Sequence, residues 1–279
     1  YSTNIAPGIV EKGYSFIDST GKRNESFVIE VDSMNEKVSI EATTPNDENS
    51  YGLQTVRKQS EALIAKGEQV VAGVNADFYN MATGEPRGVL VKDGIIIKDH
   101  PDSWSFFGIL KDGTPVIGDT TKFNELKDNI EEALGGNAIV VKDGQVFETP
   151  QTAADKEPRT AIGIKADGKV IFLTIDGRQE PYSAGLSMKE LAELMISMGA
   201  VQAINLDGGA SSTFLSRIPG NDVLDIKNIS SDNSERSVAN SGMIVAKETI
   251  SIIKLITKSP HIIFLLCNFY ITYFLLNCK

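Results

Sequence analysis

Residues 203–213 read AINLDGGASST: an apolar run is followed by an amide, a carboxylate, two glycines and three hydroxyl residues. In a β-strand, residues two positions apart project to the same face, so Asn205 and Asp207 are expected to point together. Gly208 and Gly209 predict a sharp turn that allows the backbone to approach a ligand closely. The alternative interpretation is an Asx-stabilised turn followed by a solvated serine cluster.

A helix is predicted immediately before this strand. Ser187 and Glu190 have the spacing of a capping box, which predicts a helix over residues 187–198. Gly199 ends that helix, and the strand follows from Val201. The apolar positions recur at helical spacing and are expected in the core. They are Leu191, Leu194, Met195 and Met198.

The same order of elements occurs earlier in the chain. A predicted helix over 55–66 and Gly67 precede a strand over 70–74, which ends in Asn75-Ala76-Asp77. Two strands would then each present an asparagine and an aspartate at their C-terminal ends, a common place for binding groups. Chance similarity is the alternative explanation for this repeat.

Four Asp-Gly pairs join apolar runs, and each predicts a tight hairpin because Asp-Gly accommodates positive φ angles. The pairs are Asp93-Gly94, Asp112-Gly113, Asp143-Gly144 and Asp167-Gly168. Short alternating runs near the N-terminus add further strands. The predicted fold class is therefore α+β, with a mixed, largely antiparallel sheet flanked by helices. Residues 1–249 lack a Pro- or Ser-rich linker and are predicted to form a single domain.

The composition restricts the possible functions. The formal net charge is -10 at pH 7, which argues against nonspecific nucleic-acid binding. Both cysteines, Cys267 and Cys278, lie near the C-terminus, so residues 1–249 offer neither a thiol nucleophile nor a zinc thiolate. Those residues contain one histidine, His100, which excludes a multi-histidine metal site. We predict no metal and no other cofactor.

The C-terminal residues 250–279 differ abruptly in composition from the rest of the chain. Residues 261–276 read HIIFLLCNFYITYFLL, slightly short of the roughly twenty residues that span a bilayer. A membrane anchor, a non-native end and a segment packed on the body are equally compatible with this run. Membrane contact is expected only through it. The lack of cysteine in residues 1–249 suits an extracellular or cell-envelope location.

Two arginines are predicted to meet at one end of a hairpin. Arg159 precedes an apolar strand, Asp176 and Arg178 follow the next one, and Asp167-Gly168 joins the two strands. Antiparallel neighbours begin and finish together, so Arg159 and Arg178 should lie close to each other. Their spacing suits a clamp on one phosphate or carboxylate. A structural ion pair between Arg159 and Asp176 is the alternative.

Several motifs, taken in order, resemble the phosphodiester glycosidase family. The segments extend from about Gly73 to Val245, and the following six carry the resemblance: GVNADFYNMATGEPRGVLVKDGIII, EPRTAIGI, FLTIDGR, SMKELAELMISMGA, NLDGGASSTF and ERSVANSGMIV. One departure is Ala76-Asp77, where the family often has two glycines. Another is Ala210, where glycine is commoner.

The resemblance implies hydrolysis of a sugar-1-phosphodiester, such as one of N-acetylglucosamine, at the sugar C1–O bond. The products would be a free sugar and a phosphomonoester, and the substrate would be a small molecule or an envelope or extracellular glycan. The expected catalytic residues are Asp207, Asp176, Arg159 and Arg178. The expected substrate-binding residues are Asn75, Asp77, Thr160, Asn205, Gly208, Gly209, Ser211, Ser212 and Arg236.

Two other functions fit parts of the sequence. Asp77, Asp176 and Asp207 are residues able to bind Mg²⁺ or Ca²⁺ in a phosphodiesterase that breaks the P–O bond instead. A noncatalytic polysaccharide-binding protein would use aromatic platforms, and Trp104, Phe106 and Phe107 are adjacent in sequence. The aromatic trio is more typical of a core.

Overall fold

The computed structural model describes residues 1–99, 105–147, 154–218 and 223–247. His100, Trp104 and the apolar segment 250–279 lie outside the described residues. Within the described ranges, no helix combines the length and the apolar composition needed to cross a membrane.

The chain is mainly β-structure, with three α-helices among the described residues. The strands in chain order are β1 (Ser2–Ala6), β2 (Ile9–Ile17), β3 (Arg23–Val31), β4 (Val38–Thr43), β5 (Gln54–Thr55), β6 (Val70–Asn75), β7 (Leu90–Lys92), β8 (Ile95–Lys98), β9 (Ser105–Leu110), β10 (Pro115–Gly118), β11 (Ile130–Gly136), β12 (Ala138–Lys142), β13 (Gln145–Val146), β14 (Arg159–Lys165), β15 (Val170–Ile175), β16 (Ala200–Asn205), β17 (Phe214–Arg217), β18 (Leu224–Ile226), β19 (Ser237–Val238) and β20 (Ser241–Ala246). The helices are α1 (Val56–Ala65), α2 (Thr120–Leu126) and α3 (Met188–Ser197).

The strands form three main sheets. The large sheet has the order β1-β2-β3-β15-β14-β16-β12-β13, and two five-stranded sheets have the orders β10-β9-β11-β7-β8 and β18-β17-β6-β20-β4. A small pair, β19-β5, completes the arrangement. The prediction of a largely antiparallel architecture is confirmed. All pairings among the described strands are antiparallel, so the parallel component of a mixed sheet is not found there, and helices are few.

The four Asp-Gly hairpins are confirmed as the connections β7–β8, β9–β10, β12–β13 and β14–β15. At Asp93-Gly94 and Asp143-Gly144 both residues have positive φ, as a two-residue type I′ turn requires. At Asp112-Gly113 and Asp167-Gly168 only the glycine has a positive φ. Each of these turns is one residue longer, and the glycine that closes it lies in the left-handed region. Local turn chemistry therefore fixes these strand pairings.

Short-range signals also set the ends of the helices that flank the sheets. Ser187 and Glu190 form a complete capping box at the start of α3, and Gly199 follows its end with a φ of +94°. The Thr55 side chain accepts a hydrogen bond from Lys58 N at the start of α1. These features confirm the predicted helices and their limits.

The main hydrophobic core lies between the large sheet and the two five-stranded sheets. Phe107 and Phe172 meet edge to face across it, with ring centroids 6.1 Å apart. Phe106 and Phe107 are both buried, so the core interpretation of these aromatics is confirmed. On the other face of the large sheet, α3 buries Leu191 and Met195.

The strand ends of all three main sheets converge on one region of residues 1–246. β6 ends at Asn75 and β16 ends at Asn205, while β20 begins at Ser241 and β14 at Arg159. The third sheet contributes the end of β11, at Gly136. Because these strands are buried and regular, the loops that leave them are held in fixed positions, as a binding site requires.

Candidate functional site

Asn75 links the two segments that the sequence repeat had placed at strand ends. Its Nδ2 donates to the carbonyl of Asp207 at 2.7 Å, and its Oδ1 accepts from Thr160 Oγ1 at 2.8 Å and from Thr213 N at 3.0 Å. Both Asn75 and Thr160 are fully buried. Because their hydrogen bonds are made within the protein, we expect them to position the turn rather than contact a substrate.

Asp207 occupies the centre of this region. Its N donates to the carbonyl of Ala76 at 2.8 Å, which places the Asp207 backbone beside the Ala76-Asp77 segment. Burial raises the pKa of the Asp207 carboxyl to about 6, although hydrogen bonds from Ser211 and from Gly208 N act in the opposite direction. The residue keeps partial exposure to solvent. A carboxyl of this kind changes its charge near neutral pH while remaining accessible.

Asp77 is a second carboxyl in the same place, but it is fully buried. Its Oδ2 accepts from Gly88 N at 2.7 Å, while its Oδ1 has no hydrogen-bond partner among the described residues. Burial raises its pKa to about 8, against the backbone hydrogen bonds from Gly88 and Phe78, and the negative charge of Asp207 contributes to the increase. Asp77 is therefore mostly neutral at pH 7, next to a mostly ionised Asp207.

Two glycines make room for the Asp77 side chain. A Cβ on Gly135 would lie only 2.4 Å from Asp77 Oδ2, and the Cβ of a side chain at Gly88 would lie 2.5 Å from the Gly135 Cα. Any larger residue at Gly135 would displace the carboxyl. Sequence reasoning did not identify either glycine. Gly88 lies in the same family-like segment as Asp77 but was given no role there, and Gly135 is remote from Asp77 in sequence.

The two arginines of the predicted clamp, Arg159 and Arg178, lie within electrostatic reach of each other, since the charge of Arg178 contributes to lowering the pKa of Arg159. The two residues do lie at the same end of the β14–β15 hairpin. However, Arg159 is buried, and its Nε and Nη2 donate to the carbonyls of Leu186 and Asp155, each at 2.9 Å. Burial lowers its pKa. Arg159 is thus committed to the protein backbone, and we expect a structural role for it.

Arg178 differs from Arg159 because it is half exposed and adjacent to the Gly-Gly turn. Its φ of 60° lies in the left-handed region, which is uncommon for a residue other than glycine. Its Nε pairs with the Glu157 carboxylate. A Cβ on Gly209 would lie 3.3 Å from Arg178 Nη1, so glycine at that position lets the guanidinium lie against the turn.

Asp176 has an anchoring environment that the strand pattern did not predict. Its Oδ1 accepts from Asn228 Nδ2 at 3.0 Å, and its Oδ2 accepts from Ile229 N at 2.9 Å and from Tyr182 Oη at 3.0 Å. Burial raises its pKa. Both carboxyl oxygens are therefore occupied, and the alternative ion pair with Arg159 is not formed either.

The segment that Asp176 anchors runs over the Gly-Gly turn and leads to Arg236. Asn228 Nδ2 donates to the carbonyl of Ser212 at 2.9 Å, and Ser230 Oγ donates to that of Ala210 at 3.3 Å. Arg236 pairs with Asp232 and remains 40% exposed at its side chain. Its positive charge lowers the pKa of Asp207, which places it within electrostatic reach of that carboxyl.

Ser211 and Tyr79 complete the surroundings of Asp207. Hydrogen bonds from the Ser211 side chain affect the pKa of both Asp207 and Tyr79. Tyr79 Oη in turn donates to the carbonyl of Ser237 at 2.9 Å. Tyr79 was not among the predicted site residues, although it follows Asp77 by two positions and would share its side of an extended chain.

Several buried polar atoms of the site have no hydrogen-bond partner among the described residues. Besides Asp77 Oδ1, they are Asn205 Oδ1, Ser212 Oγ and Asn240 Nδ2. Most buried polar groups in proteins are paired, so these atoms retain unused hydrogen-bonding capacity. No group of three or more His, Cys, Asp or Glu suited to a metal ion occurs in the described ranges.

A pair of carboxyl groups whose pKa values differ is typical of the active sites of glycoside hydrolases. The family model for phosphodiester glycosidases matches residues 68–245. The chain belongs to the phosphodiester glycosidase family.

Individual relatives agree with this assignment. N-acetylglucosamine-1-phosphodiester alpha-N-acetylglucosaminidase of Mus musculus is 32% identical over 161 residues, 50% of this chain and 31% of that protein. The Bos taurus enzyme of the same name is 28% identical over 59% of this chain and 34% of its own length. The chain thus spans about a third of the length of the curated relatives that it matches.

The fold is that of a solved catalytic domain. The zebrafish N-acetylglucosamine-1-phosphodiester alpha-N-acetylglucosaminidase catalytic domain, auto-inhibited by its pro-peptide, superposes with a TM-score of 0.67. The match covers 87% of this chain and 84% of that one at 20% sequence identity. The predicted family resemblance is confirmed, and the shared architecture extends beyond the matched motifs.

Proposed function

We propose that this protein hydrolyses the C1–O bond of a sugar-1-phosphodiester and releases a free sugar and a phosphomonoester. The observation that carries the proposal is the pairing in space of two carboxyl residues: Asp207 N donates to the carbonyl of Ala76, next to Asp77, and burial raises the pKa of Asp77 more than that of Asp207. Environments that separate the pKa values of two neighbouring carboxyls distinguish an acid from a base. Family membership supplies the class of bond that such a pair would attack.

Asp207 is the residue proposed to act at C1. In its ionised form, the partly exposed carboxylate would activate a water molecule or stabilise the positive charge that develops on the sugar. The hydrogen bonds from Ser211 and Gly208 N to this carboxylate favour the charged form and orient it. The neutral carboxyl of Asp77, next to Asp207, would be able to donate a hydrogen bond. It would add no second negative charge to the site.

The leaving group requires little help from a proton donor. The second ionisation of a phosphate monoester occurs near pH 6, so the departing phosphate is stable as an anion. Arg178 and Arg236 are both half exposed, and they are the guanidinium groups proposed to stabilise the charge that this phosphate gains. Buried Arg159 supports the site from within the protein.

The substrate is proposed to be a phosphodiester of N-acetylglucosamine or a related sugar, within an envelope or extracellular glycan or a small molecule. Support for the sugar comes from the names of the mouse and bovine relatives. Nucleic acid is not expected as a partner, because the chain is acidic.

The test is to incubate the full chain with the methyl-phosphate diester of N-acetylglucosamine in ¹⁸O-labelled water, with and without EDTA. Free sugar together with unlabelled methyl phosphate is the expected result in both conditions, because water that attacks C1 leaves the bridging oxygen on the phosphate. Label in the phosphate of a sugar phosphate would show P–O cleavage, and its loss in EDTA would establish the metal-dependent phosphodiesterase instead. Binding without any product would favour a noncatalytic glycan-binding protein.

A further inference from the structure

The hydroxyl of Tyr79 is fixed by a hydrogen bond to a distant part of the chain. Its Oη donates to the carbonyl of Ser237 at 2.9 Å. Because a carbonyl can only accept, the one phenolic proton of Tyr79 is committed to this contact. The ring packs against the core cluster that contains Val56 and Val238. Tyr79 therefore connects the loop after β6 to the segment that enters β19.

Ser237 directly follows Arg236, so the contact with Tyr79 acts on the backbone that carries this arginine. On the other side of Arg236, Glu235 pairs with Arg57 Nε at 2.8 Å. The guanidinium of Arg236 pairs with Asp232 at an exposed position, and exposed ion pairs contribute little. The position of the Arg236 side chain therefore depends on the backbone contacts on either side of it.

Tyr79, Arg236 and Asp207 lie within electrostatic reach of one another. Burial raises the pKa of both Asp207 and Tyr79, and the positive charge of Arg236 lowers both. Asp77 is a further titratable group that the charge of Asp207 reaches. Because the pKa of Tyr79 is raised from its usual value of about 10, the phenol is neutral at pH 7 and adds no charge of its own. Any effect of Tyr79 on the Asp207 carboxyl is therefore made through a neighbour.

Two neighbours connect Tyr79 to Asp207. One is Arg236, and the other is Ser211, whose side chain hydrogen-bonds to both residues. Since the Tyr79 proton is committed to Ser237, Tyr79 can only accept from Ser211. The ionised Asp207 is the stronger acceptor for the single Ser211 proton, because hydrogen bonds to a charged group are about twice as strong as those between neutral groups. Arg236 is therefore the neighbour through which Tyr79 has the larger effect.

We propose that Tyr79 is a positioning residue, whose hydroxyl holds the backbone at Ser237 and so keeps the Arg236 guanidinium within electrostatic reach of the Asp207 carboxyl. The consequence for the reaction rests on the proposed function, in which Arg236 meets the phosphate and Asp207 acts at C1. Tyr79 then sets the spacing between the guanidinium and the carboxylate without contacting the substrate.

The test measures the pKa of the Asp207 carboxyl by ¹³C NMR in the full chain, with the spectrum of Asp207→Asn to assign the signal. Tyr79→Phe keeps the ring in its core contacts, and Ser237 is exposed, so the fold should tolerate the loss of the hydroxyl. Arg236→Gln should raise the Asp207 pKa by about 0.5 or more, as removal of one nearby positive charge implies, and Tyr79→Phe by about half as much or more. Adding Tyr79→Phe to Arg236→Gln should cause no further rise.

The matched control is Tyr51→Phe, because Tyr51 Oη also donates to a backbone carbonyl, that of Ile97, at 3.2 Å. This variant should leave the Asp207 pKa unchanged. If it shifts that pKa as much as Tyr79→Phe does, the effect is not specific to Tyr79 and the inference is wrong.

The sign of the shift separates the two routes from Tyr79 to Asp207. A fall of the Asp207 pKa in Tyr79→Phe would assign the effect to Ser211, whose proton would then be left to Asp207 alone, and would overturn the inference. An unchanged pKa in Tyr79→Phe or in Arg236→Gln, or an equal rise with and without Arg236, would overturn it as well. The titration requires no substrate, so the expected rise in a protein that releases no sugar from the diester would overturn the proposed function alone.

Discussion

Asp176 and Asp207 occupy equivalent places in the sequence, each after an apolar strand and before a glycine. Their environments differ in a way that decides their chemistry. Both carboxyl oxygens of Asp176 accept hydrogen bonds, from Asn228, Ile229 and Tyr182. The Asp207 side chain instead remains partly exposed, and its pKa is raised to about 6. At the scale of single residues, we therefore assign chemistry to Asp207 and anchoring to Asp176.

Asp207→Asn should lower kcat/KM by at least about a hundredfold, as loss of one well-placed polar group in an active site often does. The amide has the same shape but cannot carry the negative charge. The thermal midpoint of the Asp207→Asn variant should be close to that of the wild type. The control is Asp225→Asn, an exposed position in β18. Hydrolysis by Asp207→Asn at a rate near that of the wild type would remove Asp207 from the proposed mechanism.

Substitution of Arg159 is expected to lower stability, whereas substitution of Arg178 is expected to lower activity. Arg159→Ala leaves the carbonyls of Leu186 and Asp155 without their donor, so we expect the free energy of unfolding to fall by about 1–3 kcal/mol. Arg178→Ala, at a half-exposed position, should change stability little and reduce hydrolysis strongly. Urea unfolding and initial rates measure both effects. An Arg159→Ala protein of wild-type stability would contradict the structural assignment.

The segment after β18 is an element whose position depends on one asparagine. Asn228 Oδ1 accepts from Phe214 N at 2.7 Å, and its Nδ2 donates to Asp176 and to the carbonyl of Ser212. The side chain thus joins the start of β17, the end of the β15 loop and the Gly-Gly turn. The segment that Asn228 holds leads to Arg236. The contacts of Asn228 therefore affect the position of the Arg236 guanidinium.

Asn228→Ala should raise KM for the diester more than it lowers kcat, because Arg236 would be less well positioned while Asp207 stays in place. Stability should also fall by about 1–3 kcal/mol, since buried partners lose their hydrogen bonds. Asn35→Ala serves as the control at a half-exposed turn. Steady-state kinetics and denaturant unfolding provide the two readouts. Loss of kcat with an unchanged KM would contradict this role for the segment.

At the scale of the whole molecule, buried carboxyls make stability depend on pH. Burial raises the pKa of Asp77 and of Glu132 to about 8. A carboxyl whose pKa is higher in the folded than in the unfolded state stabilises the fold fully below about pH 4, its unfolded value. That contribution is lost as pH rises toward 8. Stability should therefore decline between about pH 5 and pH 8.5.

Asp77→Asn should weaken this decline, because the amide carries no charge that burial would penalise. We expect its thermal midpoint at pH 8.5 to exceed that of the wild type by at least about 3 °C, and the difference to be smaller at pH 5. Melting curves at the two pH values, with Asp225→Asn as control, measure the effect. An equal difference at both pH values would show that the Asp77 carboxyl does not titrate in this range.

The pH profile of hydrolysis should report the same carboxyl pair. We expect kcat/KM to rise with an apparent pKa of about 6 as Asp207 ionises, and to fall above about 8 as Asp77 loses its proton. The two values belong to the coupled pair. In Asp77→Asn the fall above pH 8 should disappear. If it persists unchanged, another group controls the alkaline limb.

The sequence by itself determined the features that depend on neighbouring residues. The Asp-Gly hairpins, the capping box at Ser187 and the glycine after α3 rest on contacts or φ angles within a few positions, so pattern and propensity suffice to predict them. The strand-end position of Asn205 and Asp207, and the family, followed from short motifs of the same kind.

Only the tertiary structure decided which polar residue does what. Asn75 bonds to the Asp207 carbonyl across 132 positions, and Asp77 fits against Gly135 from another sheet. Arg159, predicted to face an anion, is instead buried against backbone carbonyls. Charge, accessibility and free hydrogen-bonding capacity depend on burial and on partners that are distant in sequence. Those properties exist only once the strand ends of three sheets have been brought together.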